Sequence, residues 1–230
     1  MKITIIHGQS HKGSTYHIAK LLAEKLNGET KEFFLPNEFD NFCLGCTNCF
    51  IKDSLQCPHY DKLKPITDSI DEADLLILAS PVYVYHVTAS MKALLDHYGY
   101  RWMVHRPNED MFKKQAVCIS TAAGAGMKST NKDMADSLFF WGTGKIYKYG
   151  VPVRAVSFDK VSVKIKAKIE KQTTALAKKI KSKYHRVRPG IKTKLFFNVI
   201  RIAQKSGWNK VDSAYWKEKG WTEKKRPWKQ

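Results

Sequence analysis

The segment Asp74–Ser80 constrains this chain more than any other, because it carries Leu75, Leu76, Ile77 and Leu78 in succession. A short run without alternating polar residues suits a strand covered on both faces, as in a parallel sheet. Similar runs recur at Lys2–His7 and Gln115–Ser120, Thr30–Leu35 reads as a further strand, and a fifth strand is expected from Lys145, with Ala155 near its end. Between them the apolar spacing turns helical. Ser14–Leu26 places Ile18, Leu21, Leu22 and Leu26 on one face, and Val87–Tyr98 does the same with Met91, Leu94, Leu95 and Tyr98. Lys62–Glu72 and Lys128–Phe140 read as further helices. Repeated strand–helix units of this length imply a three-layer α/β fold, a parallel sheet with helices on both faces.

The 230 residues are enough for one well-buried domain plus an appendage. The charge separates the two. From Lys160 onward there are 22 Lys/Arg against 4 Asp/Glu, so nearly all of the formal charge of +19 lies in the last third. Lys160–Lys183 reads as a long basic helix and Ile191–Gln204 as an amphipathic one. The end is rich in Trp: Trp208, Trp216, Trp221 and Trp228. We take residues 1–184 as the folded domain and 185–230 as an extension, packed on the core or on a partner subunit, because such a tail needs apolar cover. The charge is either a solvated face or a site for an anionic partner. Contact of the tail with a membrane surface fits this pattern, and a nucleic-acid partner is not expected. No apolar run approaches the roughly 20 residues of a membrane span. The first strand is too short for a signal peptide, so the expected compartment is the cytoplasm.

Open parallel sheets bind ligands beyond the carboxyl ends of their strands. Three loops fall there. Gly8–Thr15 follows the first strand, with Gln9, Ser10, Lys12, Gly13, Ser14 and Thr15 leading into a helix N-terminus, a setting suited to an anion. Taken alone, it could equally be an ordinary capped turn. Ser80–Tyr85 ends the strongest strand, and Pro81, Val82 and Tyr83 could border a flat ring. Ser120–Gly126 follows the fourth strand, and its small residues Thr121, Ala122, Gly124 and Gly126 allow close backbone approach.

The segment Ser80-Pro81-Val82-Tyr83, eight residues, then Lys92-Ala93-Leu94-Leu95-Asp96 resembles the S-P-[IV]-Y-x8-K-x2-[LI]-D motif of the NAD(P)H-dependent FMN reductases and iron–sulfur flavoproteins of the flavodoxin superfamily. His97 stands where that family often has Arg. Gly13-Ser14-Thr15 resembles the end of the family's phosphate loop, without its Pro and Arg. The resemblance implies a flavodoxin-like sheet of order 2-1-3-4-5. It implies FMN, with its phosphate at Ser10–Thr15 and its ring against Pro81–Tyr83 and Thr121–Gly126. It further implies NAD(P)H as reductant, a small-molecule or protein electron acceptor such as a flavin, quinone or nitro compound, and a homodimer or tetramer. The flavin carries such chemistry while the protein orients it, so no side chain is assigned as acid or base.

Four of the five cysteines fall together as Cys43-x2-Cys46-x2-Cys49-x7-Cys57. With thiols kept reduced, such a cluster suggests metal or redox chemistry more than structural disulfides. The x2 spacing is similar to the ligand run of a [4Fe–4S] ferredoxin, apart from the longer last gap. Zinc held by four thiolates and metal-free thiols are the other readings. An electron carrier passing charge between FMN and such a cluster is the alternative to a nicotinamide-dependent enzyme. A third reading is a flavin-binding sensor docked on an anionic partner. Cys118, inside the fourth strand, reads as a small core residue.

Overall fold

The computed structural model describes residues 1–229; Gln230 lies outside the described residues. Five parallel strands form one sheet in the order β2-β1-β3-β4-β5. They are β1 (Lys2–His7), β2 (Glu29–Phe34), β3 (Leu75–Ala79), β4 (Gln115–Ala122) and β5 (Lys145–Pro152). The helices are α1 (Ser14–Leu26), the single turn α2 (Asn48–Ile51), α3 (Tyr60–Glu72), α4 (Ala89–His97), α5 (Met127–Phe140), α6 (Val163–Lys183), α7 (Ile191–Lys205) and α8 (Lys210–Glu218).

Side-chain alternation along the strands splits the core in two. Ile3, Ile5, Leu75, Ile77, Val117 and Ile119 face α1 and α6. Ile6, Leu76, Leu78, Ala116 and Cys118 face the other way, toward α3, α4 and α5. The three central strands are therefore buried on both sides, as their unbroken apolar runs predict. Cys118 is fully buried, and burial pushes its thiol up to about 12, so it is an inert core residue.

Caps and turns set the boundaries that periodicity leaves loose. The Thr88 hydroxyl accepts the Met91 N–H, so α4 starts at Ala89 and not at Val87. The Ser162 hydroxyl plays the same part for α6, leaving Lys160 outside the helix. β5 stops at Pro152, so Ala155 lies beyond it. One further ladder bond joins Val153 to Ala122, and then Arg154 turns left-handed at φ 51° and ends the strand.

The last two helices and the turn after them carry a third apolar cluster. Phe197, Ile200, Trp216 and Trp221 bury themselves against Met103 and Phe112. Trp216 stacks on Phe197 with ring centroids 4.6 Å apart, and its indole N–H donates to the His105 carbonyl at 2.6 Å. The Trp-rich tail is thus packed on the core. Trp208 is the exception and stands exposed. Among the described residues no helix is long and apolar enough to cross a membrane.

Candidate functional site

The three loops meet at the carboxyl edge of the sheet. Gly8 continues β1 by donating its N–H to Ala79, and its carbonyl accepts the Thr88 hydroxyl. A Cβ at Gly8 would lie 2.8 Å from Thr88 Oγ1, so this position must be glycine for α4 to sit so close. Beyond it the Gln9 amide donates to the Tyr83 hydroxyl, tying the first loop to the second. Thr15 and Thr121 share a hydroxyl hydrogen bond of 2.6 Å, tying the first to the third. Gly13 stands at the N-cap of α1 and supplies no side-chain cap. The first-turn N–H groups of α1, which have no partner within the helix, are left for whatever occupies the cleft in front of them.

That cleft has a volume of about 220 Å³. Of the residues expected from sequence, Gln9, Gly13, Ser14, Thr15, Pro81, Val82, Tyr83, Thr121 and Ala122 line it. Ser10, Lys12, Gly124 and Gly126 lie outside that lining. Lys12 places its ammonium 5.5 Å from the Tyr16 ring centroid. Gly126 acts from below: at φ 96°, a Cβ there would lie 2.5 Å from Val82, so its bareness lets the second loop settle on α5. At Gly124 a Cβ would meet nothing within 4 Å. A volume this small, below the several hundred Å³ of a typical ligand pocket, leaves part of any cofactor-sized ligand outside the cleft.

The second loop ends in a strained tip. Tyr83 and His86 pair across a tight turn whose central residues, Val84 and Tyr85, both take left-handed φ, 48° and 67°. A β-branched residue there costs on the order of 1–3 kcal/mol. The turn is held from α5, where Asp133 accepts the His86 ring N–H at 3.0 Å and the Ser129 hydroxyl donates to the Tyr85 carbonyl. The result is an exposed apolar tip beside the cleft.

Sequence reasoning missed His7, His11, Tyr16, Ala123, Val153, Ala155 and Val156, which also line the cleft. The last three come from the turn after β5, where no loop motif marks them. His7 is the polar end of the first apolar run. It is buried, stacked on Phe34 at 4.5 Å, and donates from Nε2 to Glu32 at 2.9 Å. Burial lowers its pKa from the ordinary value, and the opposing pull of Glu32 does not overcome this. For Glu32, burial works against the charge, but hydrogen bonds from Lys20 and His7 outweigh it and hold the carboxyl below its usual range.

The cysteines occupy a loop with little regular structure. Cys43 and Cys46 are exposed, while Cys49 and Cys57 are half-buried. Gly45 and Thr47 take left-handed φ of 65° and 59°, which curls the chain between the first three thiols. Burial first, and then the neighbouring Cys57, Cys43 and Cys46, push the Cys49 thiol up to about 11. Burial also raises Cys57. Cys49 thus has the sulfurs of Cys57, Cys43 and Cys46 among its neighbours. Among the described residues the four sulfurs do not converge within 4.8 Å; the set that does is Cys57, His59 and His97. Four thiolates on one zinc ion, each about 2.3 Å from it, would need to be closer than these are. A cubane of four irons is larger and spaces its ligands more widely.

Two further groups support this loop. His97 donates from Nδ1 to the Ala93 carbonyl at 2.7 Å, which leaves Nε2 bare to accept from His59 at 2.9 Å. Arg106 donates to the carbonyls of Cys49 and Phe50 and pairs with Asp212 of α8. Asp212 is buried and also accepts from His105 at 2.7 Å. The tail therefore clamps the backbone that carries Cys49. No motif predicts this, because the partners lie more than 100 residues apart.

A larger groove of about 1200 Å³ lies at the opposite edge, beside Asp74, which precedes β3, and Gln115, which begins β4. Strand amino ends are not where such sheets bind cofactors. The smaller cleft is the candidate site.

Comparison with known proteins places this geometry. Residues 1–155 match the family described as NADPH-dependent FMN reductase, and the chain belongs to that family. It is 30% identical over 202 residues to an iron-sulfur flavoprotein of Archaeoglobus fulgidus, covering 84% of each chain. It is 28% identical over 148 residues to an iron-sulfur flavoprotein of Methanosarcina thermophila, covering 62% of this chain and 75% of the relative. Among solved structures, the NAD(P)H:quinone oxidoreductase from Methanothermobacter marburgensis superposes with a TM-score of 0.57 at 15% identity. That match covers 76% of this chain and 96% of the other, and shows the shared flavodoxin-like fold.

Proposed function

We propose that the chain is an FMN-dependent oxidoreductase, reduced by NADH or NADPH, that passes electrons to a flavin, quinone, nitro compound or protein acceptor. One observation carries the reading: an uncapped helix N-terminus and a Tyr- and Pro-bearing loop face one cleft at the carboxyl edge of the sheet. The donor set fits FMN. Backbone N–H groups at Ser14 and Thr15, with the hydroxyls of Ser14 and Thr15, suit a phosphate, and Ser10 and Lys12, outside the cleft's lining, would add to it only from the rim. Gln9 fixes the first loop to Tyr83. Pro81, Val82 and Tyr83 form one wall for the ring, and Thr121 and Ala122 the other, with Gly126 letting the two walls approach and Gly124 lying beyond the lining. Bound FMN supplies the acceptor of a hydride and the donor of electrons. The uncovered tip at Val84 accords with a homodimer or tetramer. We keep residues 1–184 as the FMN-binding unit and 185–230 as its extension.

The thiol group favours a second reading, in which the flavin exchanges electrons with a [4Fe–4S] cluster rather than directly with nicotinamide. Cys43, Cys46, Cys49 and Cys57 would hold it, and it would supply single-electron transfer. The curl at Gly45 and Thr47, which turns the chain between Cys43, Cys46 and Cys49, and the Arg106 contacts to the carbonyls of Cys49 and Phe50 support this reading.

Anaerobic purification followed by an absorbance spectrum, an iron assay and steady-state NADH and NADPH oxidation tests both readings. A flavin spectrum with nicotinamide turnover is the expected result. Protein that binds no flavin would end the proposal. Flavin and iron without nicotinamide turnover would favour the carrier.

A further inference from the structure

Helix α7 is apolar on two sides. Its inner face, with Phe197 and Ile200, is buried in the third cluster. Its outer face, which a surface helix ordinarily fills with polar residues, carries Ile191, Leu195, Val199 and Ile202, exposed by 85%, 65%, 55% and 67%. Spacings of four, four and three residues put them in one stripe along a helix roughly 22 Å long. Exposed Trp208 follows just past its end.

The charges along this helix have one sign. Lys192, Lys194, Arg201 and Lys205 belong to α7, which has no Asp or Glu. Arg201 donates to the Glu223 carbonyl, a contact that leaves its charge uncompensated. The ion pairs of the tail use other residues: Lys219 and Lys225 with Glu109, and Arg106 with Asp212.

We propose that α7 seats the protein on an anionic lipid surface, with the aliphatic stripe in the boundary between headgroups and acyl chains and the cations among the headgroups. Such a surface meets both demands at once, taking apolar side chains below a layer of negative charge. A second copy docked through the same face would set one all-cationic helix against another, which like-charge repulsion opposes. A nucleic acid would satisfy the cations but offer the four aliphatic side chains nothing to bury against.

The test is co-sedimentation of the full chain with vesicles of phosphatidylcholine alone and of phosphatidylcholine with one-third phosphatidylglycerol. Binding to the second kind only, weakening as salt rises, is expected. The double substitution Lys194→Gln with Arg201→Gln lowers vesicle affinity about 25-fold, at about fivefold per lost cation. Leu195→Gln with Ile202→Gln lowers it at least about tenfold. Near-ultraviolet dichroism of the buried Trp216 and Trp221 confirms that each variant is folded. Failure to bind anionic vesicles, or equal binding to both kinds, overturns the proposal. So does an apolar variant that turns an oligomer into a monomer while vesicle binding stays unchanged, because the stripe would then belong to a second copy.

Discussion

Thr15 shows how much one hydroxyl can do at this edge. It stands in the first turn of α1, is buried, and holds Thr121 of β4 across the mouth of the cleft. Thr15→Val keeps the shape and removes both the donor and the tie, leaving Thr121 without its partner. A net hydrogen bond is worth about 1 kcal/mol, so FMN affinity, read by quenching of flavin fluorescence on titration, falls roughly five- to tenfold. His7 acts on stability instead. Its folded pKa lies below 6.5 because of burial, so in acid the unfolded chain takes up a proton that the folded chain resists. Stability is complete above pH 6.5 and declines as pH falls from there toward the folded value, by at most about 1.4 kcal/mol per pH unit. Urea midpoints on either side of that value measure the slope. His7→Gln removes its share and leaves that of buried His97, whose pKa is lowered in the same way.

At the scale of elements, the link that matters runs from α8 to the cysteine loop. Asp212→Asn leaves Arg106 without its anionic partner, half-buried under the carbonyls of Cys49 and Phe50. Breaking a buried pair from one side costs about 3 kcal/mol or more. The expected outcome is a lower urea midpoint together with faster alkylation of Cys49, followed by mass spectrometry of the labelled peptide. An unchanged labelling rate would show that the loop is ordered without the clamp. The elements themselves were largely legible in the sequence, because β1, β3 and β4 are buried on both faces and therefore read as unbroken apolar runs. α1 was legible to the residue, since Gly13 and Asn27 bracket its periodic stretch. What stayed hidden depends on contacts distant in sequence. The Arg106–Asp212 pair, the His59–His97 pair and the turn after β5 leave no local pattern, and the end of β5 is set by the backbone of Arg154 rather than by hydrophobicity.

For the whole molecule, the extension is structural as well as charged. Trp216 and Trp221 are fully buried and cover Met103 and Phe112 of the core. Trp216→Ala removes a stacked indole and its hydrogen bond to His105, a change that costs about 3–5 kcal/mol. A drop of that size in unfolding free energy, from a single cooperative urea transition, is expected; a separate early transition would mean that the extension melts on its own. Composition announces the tail through its charge, but the packing of its aromatic residues is what joins it to the rest of the fold.

The clamp on the cysteine loop also has a consequence in time. Asp212 follows Arg106 by 106 positions and Cys49 by still more. At about 5–20 residues per second of synthesis, the thiols leave the ribosome on the order of 10 s before the residue that steadies them. The cysteine loop and the residue that clamps it are therefore made at different times: the nascent loop emerges without Asp212, and the Arg106–Asp212 pair forms only once α8 has been synthesised.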